Sequence, residues 1–589
     1  MRRWKLWKTH GVWTNSKKEI LLLKIRQYKW IAALLTLFVL SCAKSVANTR
    51  SLSGRLIVEG DHSGSVIVNL YKLQASSEGR TSPLTKADIY GDLDPLQSLT
   101  LEKPGRYTFD HLDPGHYSVL AFIDADGNGE VGFDPLESFG WFASNPGGRW
   151  DPIDLTQYDA TDCDFRLRVP TLFPREDKVI EHGALRWMQG LPVLQLWGTA
   201  QERGFAHGYL VGKQIIDFFE FYIIEDNWRS AKRYQDIFVP FLEEHLNCPS
   251  EFVSECDAVI KGMQESGLDM RVQALGRDFT RTDLFSINAY IEKRSASPVA
   301  SPSSCTQFAF WGSQKKGSSH TGGLIATRNM DGECDVRKVT VSHFLVYAVD
   351  PSELGLKRWI STMWPGFVGT ISGINEEGLY SMENAGASGP GPIPKSVIPC
   401  SWIQRIILEK QGGDASPESV LQMMKPFACS TGGITAAGSI ILWAVPYKGQ
   451  KSPAFVYEGG RTGFAIRTPT DVRPVNSKNI MASNHHLVYG FDPARPHESL
   501  GSPVSFSSLW RYETGMHTLE AWSRQGKSMG CGEAIRLLQQ VAHGTTEYSV
   551  IFLANERRIL IAVDDLKTDM WDAPYMEWID FDFDELFKK

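Results

Sequence analysis

The sequence predicts an α+β protein: a small all-β sandwich followed by a large domain of antiparallel strands and intervening helices. Three observations carry this. Short strand-like runs separated by turn residues fill residues 51–170. Beyond about residue 180, apolar runs of strand length alternate with stretches of helical spacing. The chain has 589 residues, 42% hydrophobic and 22% charged, ordinary for a globular protein and enough for roughly two or three domains. A net charge of −7 with no basic stripe gives no case for nucleic acid as a partner.

The chain opens with Arg2, Arg3, Lys5, Lys8, Lys17, Lys18, Lys24, Arg26 and Lys29, then the apolar run Trp30 to Leu40. A positive region and an apolar core too short to span a bilayer comfortably make residues 1–42 a signal peptide. Its end, Val39-Leu40-Ser41-Cys42, resembles a bacterial lipobox, with Cys42 as the lipidated residue. That reading predicts export to the cell envelope as a lipoprotein or periplasmic protein, held to the membrane by a lipid anchor or the signal segment. Cleavage near Val46-Ala47-Asn48 and an uncleaved anchor are the alternatives.

In residues 51–170, Arg55–Val58, Ser65–Tyr71, Arg106–Phe109 and Tyr117–Ile123 read as strands, with Asp113-Pro114-Gly115 as a turn. The phrase Tyr107 to Tyr117 resembles the carboxypeptidase-regulatory or transthyretin-like sandwiches. Asp124, Asp126, Asn128 and Glu130 alternate around Gly127 and Gly129 like the first half of a calcium loop. Pro135 stands where the closing Glu belongs, between Asp134 and Glu137 nearby. A structural calcium and a plain Asp/Gly turn are both consistent with this stretch.

Nine cysteines include no CxxC and no Cys/His pair at zinc spacing, which argues against a thiolate metal site. Cys248 and Cys256 are a close pair in sequence.

Residues 171–185 read as a linker and 186–589 as the large domain. There Leu194 to Gly198 reads as a strand and Glu202 to Tyr222 as a helix. Strands are expected at Val339–Val349, Phe367–Ile374, Ile440–Val445, Ala454–Tyr457, Gly463–Arg467, Ser549–Leu553 and Arg558–Val563, with turns at Gly459-Gly460 and Asn555-Glu556. Helices are expected at Trp402–Lys410 and from Ser416-Pro417, an N-cap followed by Pro at the first position.

The large domain is organised around Ser304-Cys305-Thr306-Gln307-Phe308. A Ser/Pro-rich run, Ser295 to Ser304, expected to be exposed, leads into a cysteine at the head of an apolar strand. A thiolate attacks carbonyls well, but a free cysteine is mostly protonated near neutrality. Cutting the bond before Cys305 creates an α-amine titrating near pH ~8, which can take the thiol proton. A second strand-like run ends in Arg328-Asn329-Met330-Asp331.

These residues resemble the N-terminal nucleophile amidohydrolases, in the branch holding isopenicillin N acyltransferase, acid ceramidase and choloylglycine hydrolase. There a cysteine followed by Thr starts the first core strand, and Arg-Asn-x-Asp ends the next. Further matches follow in the family's order. They are Gly373-Ile-Asn375-Glu-Glu-Gly378-Leu379 with Asn384 beyond it, Met481-Ala-Ser-Asn484-His485-His486, and Ser508-Leu-Trp-Arg511. Gly204 to Gly208, containing His207, also matches, in the segment before the nucleophile, and His207 reads there as structural.

The resemblance implies a four-layer αββα fold, a smaller chain ending at Ser304 and a larger one from Cys305, self-cleavage between them, and no cofactor. It implies Cys305 as nucleophile with its own α-amine as base, and Asn484 with the backbone N–H of Asn384 as oxyanion donors. Arg328 and Asp331 hold the nucleophile and its ammonium, and Arg511 completes the cluster or meets the substrate. The substrate is then a small N-acyl amide: acyl-amino acids, ceramide-like lipids, bile-salt-like conjugates, β-lactams and peptides all qualify. Trp311, Trp364 and Phe367 are candidate pocket residues as well as candidate core. Two other classes stay open: a papain-like hydrolase using His485 or His486 as base, and a non-catalytic envelope binding protein.

Overall fold

The computed structural model describes residues 49–589 apart from 75–92, 133, 146–150, 298–303, 313–322, 333–338, 390, 472–477, 491–497, 500–501, 504, 528, 543 and 566–571. The leader, with Cys42, lies outside the described residues, as does Cys334. Among the described residues no helix is long and apolar enough to cross a membrane. No described cysteine is in a disulfide, Cys248 and Cys256 included.

Residues 50–168 form two sheets. One has three strands in the order Arg106–Leu112, Arg50–Glu59, Phe165–Arg168. The other runs Gln97–Leu101, Ser65–Leu73, His116–Asp124, Phe139–Trp141, with Ile153–Asp154 also paired to His116–Asp124. Leu52, Leu56 and Phe109 of the first share one apolar cluster with Val68, Val119 and Ile123 of the second. The strands Gln97–Leu101, Phe139–Trp141 and Phe165–Arg168 escape the sequence reading because each spans five residues or fewer, too short for a clear alternation. Arg168 pairs with Asp217 and Glu220 of the large domain, and Asp217 also accepts from Thr171 N at 2.6 Å.

The large domain begins earlier than the linker expected at 171–185. Lys178–Ile180 and Gly183–Met188 already pair antiparallel. They edge a ten-stranded sheet whose order continues Leu191–Trp197, Leu345–Asp350, Trp359–Met363, Ser372–Asn375, Tyr380–Ala385, Ser439–Ala444, Ala454–Gly460, Gly463–Arg467. All neighbours are antiparallel except Leu191–Trp197 against Leu345–Asp350, which run parallel. A six-stranded antiparallel sheet runs Asn479–Ala482, Ser304–Trp311, Leu324–Asp331, Thr546–Leu553, Arg558–Val563, Ile579–Asp582.

The two sheets face each other. Tyr380 of the larger stacks on Phe552 of the smaller with ring centroids 6.2 Å apart, and Tyr548 OH donates to Thr362 O at 2.9 Å. Helices Ala200–Phe218 and Cys400–Lys410 cover the outer face of the larger sheet, with Ser250–Glu265 against the first. Helices Phe506–Arg524 and Cys531–Gln540 cover the smaller. The layering is therefore helix, sheet, sheet, helix.

The first long helix is set by a capping box in which Thr199 and Glu202 satisfy each other's backbone N–H groups. Its Gly204 and Gly208 let Ser250–Glu265 pack against bare backbone: an added Cβ would stand 2.3 Å from Glu255 O and 1.9 Å from Val259 O. His207 on the same helix is buried, and its Nε2 accepts from Gly366 N at 3.1 Å. Burial pushes its pKa down to about 3, so the ring is neutral and structural. The helix expected to reach Tyr222 gives way after Phe218 to wide π-type turns over Phe219–Trp228.

Three local expectations shift. Val339–Ser342 is a helical turn rather than part of a strand, the strand being Leu345–Asp350. Of Phe367–Ile374, only Ser372 onward joins the ladder, because Val368 N and Gly369 N donate to the Asn288 side chain at 2.9 and 3.1 Å. The hairpin turn expected at Gly459-Gly460 falls at Arg461-Thr462.

Candidate active site

Strand Ser304–Trp311 lies inside the six-stranded sheet, between Asn479–Ala482 and Leu324–Asp331. Its pleat sends alternate side chains to opposite faces. Phe308 and Phe310 point into the helical layer, while Cys305, Ala309 and Trp311 face the ten-stranded sheet. Cys305 is opposite Met330 and Gln307 opposite Arg328, so the neighbouring strand delivers Arg328 and Met330 to the same inter-sheet layer.

Cys305 is 2% exposed. Arg328 Nη2 lies 3.1 Å from its sulfur, and Nη1 of the same guanidinium donates to Ile371 O at 2.7 Å and to Ser372 Oγ. Burial pushes the thiol pKa up and Arg328 opposes that push. Cys305 N donates to Asn484 Oδ1 at 2.9 Å. Arg511, from the first turns of helix Phe506–Arg524, donates to Asn484 Oδ1 at 2.9 Å, to Cys305 O at 2.5 Å and to Thr306 Oγ1 at 2.6 Å. Asp331 stands opposite Ser304 in register, 3.8 Å from Arg511 Nη1, and accepts from Thr546 Oγ1 at 2.6 Å.

The residues expected at the site, Arg328, Asp331, Asn384, Asn484 and Arg511, are thus brought around Cys305, with two differences in detail. The Asn384 side chain faces Cys305: its Nδ2 reaches Cys305 O at 3.4 Å and Ser483 O at 3.1 Å, and its Oδ1 accepts from Gln307 Nε2. The expectation had its backbone N–H there. Asn484 turns its carbonyl oxygen to Cys305 N and uses Nδ2 to donate to Ala385 O at 2.9 Å. Because both neighbours of that oxygen are donors, the amide orientation is fixed by chemistry.

Sequence reasoning gave no role at the site to Gln307 or Ser508 and read the segment before the nucleophile as exposed. Gln307 carried a usable signal, since period two puts it on the face of Cys305. Ser508 Oγ accepts from Asn484 N at 2.8 Å and so positions the asparagine. The Ser/Pro-rich run is not exposed throughout: Lys293–Ala296 is a helical turn, and Ser295 and Ser297 are buried, Ser295 Oγ donating to Ala436 O at 2.5 Å.

The two histidines of the papain-like alternative do not fit a base paired with a thiol. His485 Nδ1 lies 2.8 Å from Ser508 Oγ and 3.1 Å from Ser483 Oγ. Burial holds its pKa down to about 4, whereas a thiolate–imidazolium pair needs the ring protonated. Burial lowers His486 too.

In the acidic loop, carboxylates of Asp124, Asp126 and Glu137 gather within 4.8 Å of one another. Glu130, expected in that set, is exposed and outside it; its N–H caps Asn128 Oδ1 at 2.6 Å. The short turn Pro135–Glu137 returns Glu137 to the loop, where Oε1 accepts from Asp126 N at 3.1 Å. Asn128 N donates to Asp126 Oδ1 at 3.0 Å. A separate cavity of about 990 Å³, lined by His182, Phe205, Tyr209, Cys248 and Lys261 among others, lies in the outer helical layer and does not include Cys305.

No protein-family model and no curated protein matches the sequence. Among solved structures the chain is similar to the Caenorhabditis elegans ortholog of N-acylethanolamine-hydrolyzing acid amidase, at 14% identity over 43% of this chain and 93% of that one, with a TM-score of 0.30. It is similar to a mutant of conjugated bile acid hydrolase from Clostridium perfringens at 11% identity, over 47% and 96%, with a TM-score of 0.29. For penicillin V acylase from Agrobacterium tumefaciens the values are 12%, 47% and 91%, with a TM-score of 0.24.

Proposed function

We propose that the protein is an exported cysteine amidohydrolase that cuts its own chain before Cys305 and then hydrolyses small N-acyl amides. The observation that supports this most is the pairing at one residue of sulfur and nitrogen with complementary partners. Arg328 Nη2 is 3.1 Å from Cys305 Sγ, and Asn484 Oδ1 is 2.9 Å from Cys305 N.

In the uncut chain the thiol attacks the Ser304 carbonyl, the acyl group moves from nitrogen to sulfur, and water opens the resulting thioester. The freed α-amine takes the thiol proton in the mature enzyme, with Asn484 Oδ1 orienting it. The thiolate, favoured by Arg328, forms a bond to the substrate carbonyl carbon. The oxygen that becomes negative meets the second N–H of Asn484 Nδ2, the first being held by Ala385 O. The carbon–nitrogen bond then breaks and the ammonium of Cys305 gives its proton to the leaving amine. Water attacks the thioester, the acid departs, and the thiol is restored. Arg511 and Asn384 fix the Cys305 carbonyl throughout.

Denaturing gels and mass spectrometry of protein purified from its native envelope test this. Two fragments meeting between 304 and 305 are expected, with Cys305→Ala remaining one chain. A turning-over preparation with an unbroken peptide through that position would end the reading. The mass of the mature N-terminal peptide tests export and lipidation at Cys42.

A further inference from the structure

Asn484 follows an edge strand. Asn479–Ala482 ends the six-stranded sheet and pairs with Ser304–Trp311, and its ladder stops at Ala482, two residues short of Asn484. Strand pairing therefore does not fix this asparagine. Its N–H donates to Ser508 Oγ at 2.8 Å, but one backbone bond leaves a residue free to pivot.

The stretches on both sides of Asn484 are gripped from the other sheet. Glu458 and Arg467 stand on the hairpin Ala454–Gly460 and Gly463–Arg467, at the end of the ten-stranded sheet, and both are buried. Arg467 Nε donates to Glu458 Oε1 at 2.6 Å, and Arg467 Nη2 donates to Met481 O at 2.8 Å, ahead of Asn484. Glu458 Oε2 accepts from three successive backbone N–H groups beyond it: Leu487 at 2.9 Å, Val488 at 2.8 Å and Tyr489 at 3.2 Å. Burial works against a charged Glu458, but Arg467, His486 and the backbone donors outweigh it and hold its pKa below the ordinary value. The bonds to this carboxylate are therefore charge-assisted.

We propose that Glu458 and Arg467 are positioning residues: together they fix both flanks of Asn484 and so place its amide against Cys305 N and the substrate oxygen. The inference rests on the amidohydrolase reading. A buried ion pair is weak evidence of added stability, because desolvation offsets its attraction. What this pair supplies is a fixed path for a loop that carries a partner of the reacting atoms, where a displacement of about 1 Å costs ~10²-fold in rate.

Glu458→Gln keeps the size but sets an NH2 donor against either Arg467 or the three N–H groups. Glu255→Gln is the control for lost stability: it breaks the buried pair with Arg405, 2.8 Å apart in the outer helical layer. Two rates are read in the full-length protein. One is cutting between 304 and 305, where Asn484 Oδ1 holds the scissile N–H. The other is kcat for an N-dodecanoyl aminocoumarin, per Cys305 site titrated with iodoacetamide. Glu458→Gln is expected to slow both by ~10–100-fold with KM within about threefold of wild type. Glu255→Gln should lower the melting temperature while both rates stay within about threefold. Arg467→Lys keeps the charge without the planar fork and should fall between wild type and Glu458→Gln. On the residual rates of Asn484→Ala, Glu458→Gln should add less than about threefold, since the group it places is gone. Wild-type rates in Glu458→Gln, equal slowing by Glu255→Gln, or the same added factor with and without Asn484 overturns the assignment and leaves the hydrolase reading standing. So does failure of both Glu458→Gln and Arg467→Lys to fold, which makes the pair's role the fold itself. Wild type that neither cuts its chain nor turns over the amide removes both readings.

Discussion

Asn484 Oδ1 accepts from Cys305 N and from Arg511; in the proposed reaction its second amide N–H meets the substrate oxygen. Asn484→Ala is expected to reduce kcat by ~10²–10³-fold, the cost of losing one oxyanion donor plus the orienting of the amine. Circular dichroism and melting should change little, since Asn484 is partly exposed. A variant within threefold of wild type would remove it from the catalytic set. The sequence shows this asparagine because it lies in a short local motif, and the same holds for Cys305, Arg328 and Asp331 on strands and Arg511 at a helix start. What each atom bonds is not in the motif. The turn of the Asn384 side chain toward Cys305 follows from Gln307 Nε2 meeting its oxygen across the sheets, a contact 77 residues apart in the chain.

Asn375 shows how one residue fixes a hairpin and a helix together. Its oxygen accepts from Leu379 N at 2.9 Å and Glu377 N at 3.1 Å, while Nδ2 donates to Leu408 O and Gln411 O, both at 2.8 Å. Gly378 closes the same turn at φ +86°, where a side chain is strained. Asn375→Ala should therefore cost about 2–4 kcal/mol of stability, measured by denaturant unfolding, because it strands buried backbone groups. The sequence offers Asn375 and Gly378 as part of a family match; the helix end that Asn375 clamps is not in that motif. The helical turn Val339–Ser342 was misread because Val, Thr and Val favour strands, a preference overridden by packing, with Trp364 Nε1 donating to Thr340 O at 2.8 Å. In the acidic loop, we propose that calcium binds through Asp124, Asp126 and Glu137. Calcium should raise the melting temperature and EDTA should reverse it. Glu137→Gln should abolish the rise and Glu130→Gln should keep it; no rise in the wild type ends the proposal.

The two-sheet core holds several ionisable groups away from their ordinary states. Burial lowers His207 to about 3, His343 to about 4 and His485 to about 4, from 6.5. The unfolded chain protonates these rings first, so their contribution is whole above pH 6.5 and declines as pH falls toward 4. Each ring costs up to about 1.4 kcal/mol per pH unit in that window. Glu292, raised by burial and Glu383 to about 8, acts in the opposite direction, favouring the fold at low pH and losing that benefit as pH rises from 4.5 to 8. Burial raises Glu383 as well. Glu292→Gln removes one opposing contribution, so its melting temperature should fall further between pH 7 and 5 than that of the wild type; an unchanged pH dependence would contradict a carboxyl held neutral by burial.

The ten-stranded sheet carries a longer consequence. Its edge, Lys178–Ile180, Gly183–Met188 and Leu191–Trp197, precedes Cys305, yet the parallel partner of that edge, Leu345–Asp350, follows it. Gln195 Nε2 also donates to Leu586 O at 2.8 Å and Lys588 O at 2.9 Å, stitching the front of the domain to the chain's final residues. Severing the backbone at 304 would divide the ten-stranded sheet between the two pieces, while the six-stranded sheet stays with the later one. Maturation of this kind is a one-way door: the severed molecule keeps a shape that its separated halves, once denatured, have lost the covalent tether to regain.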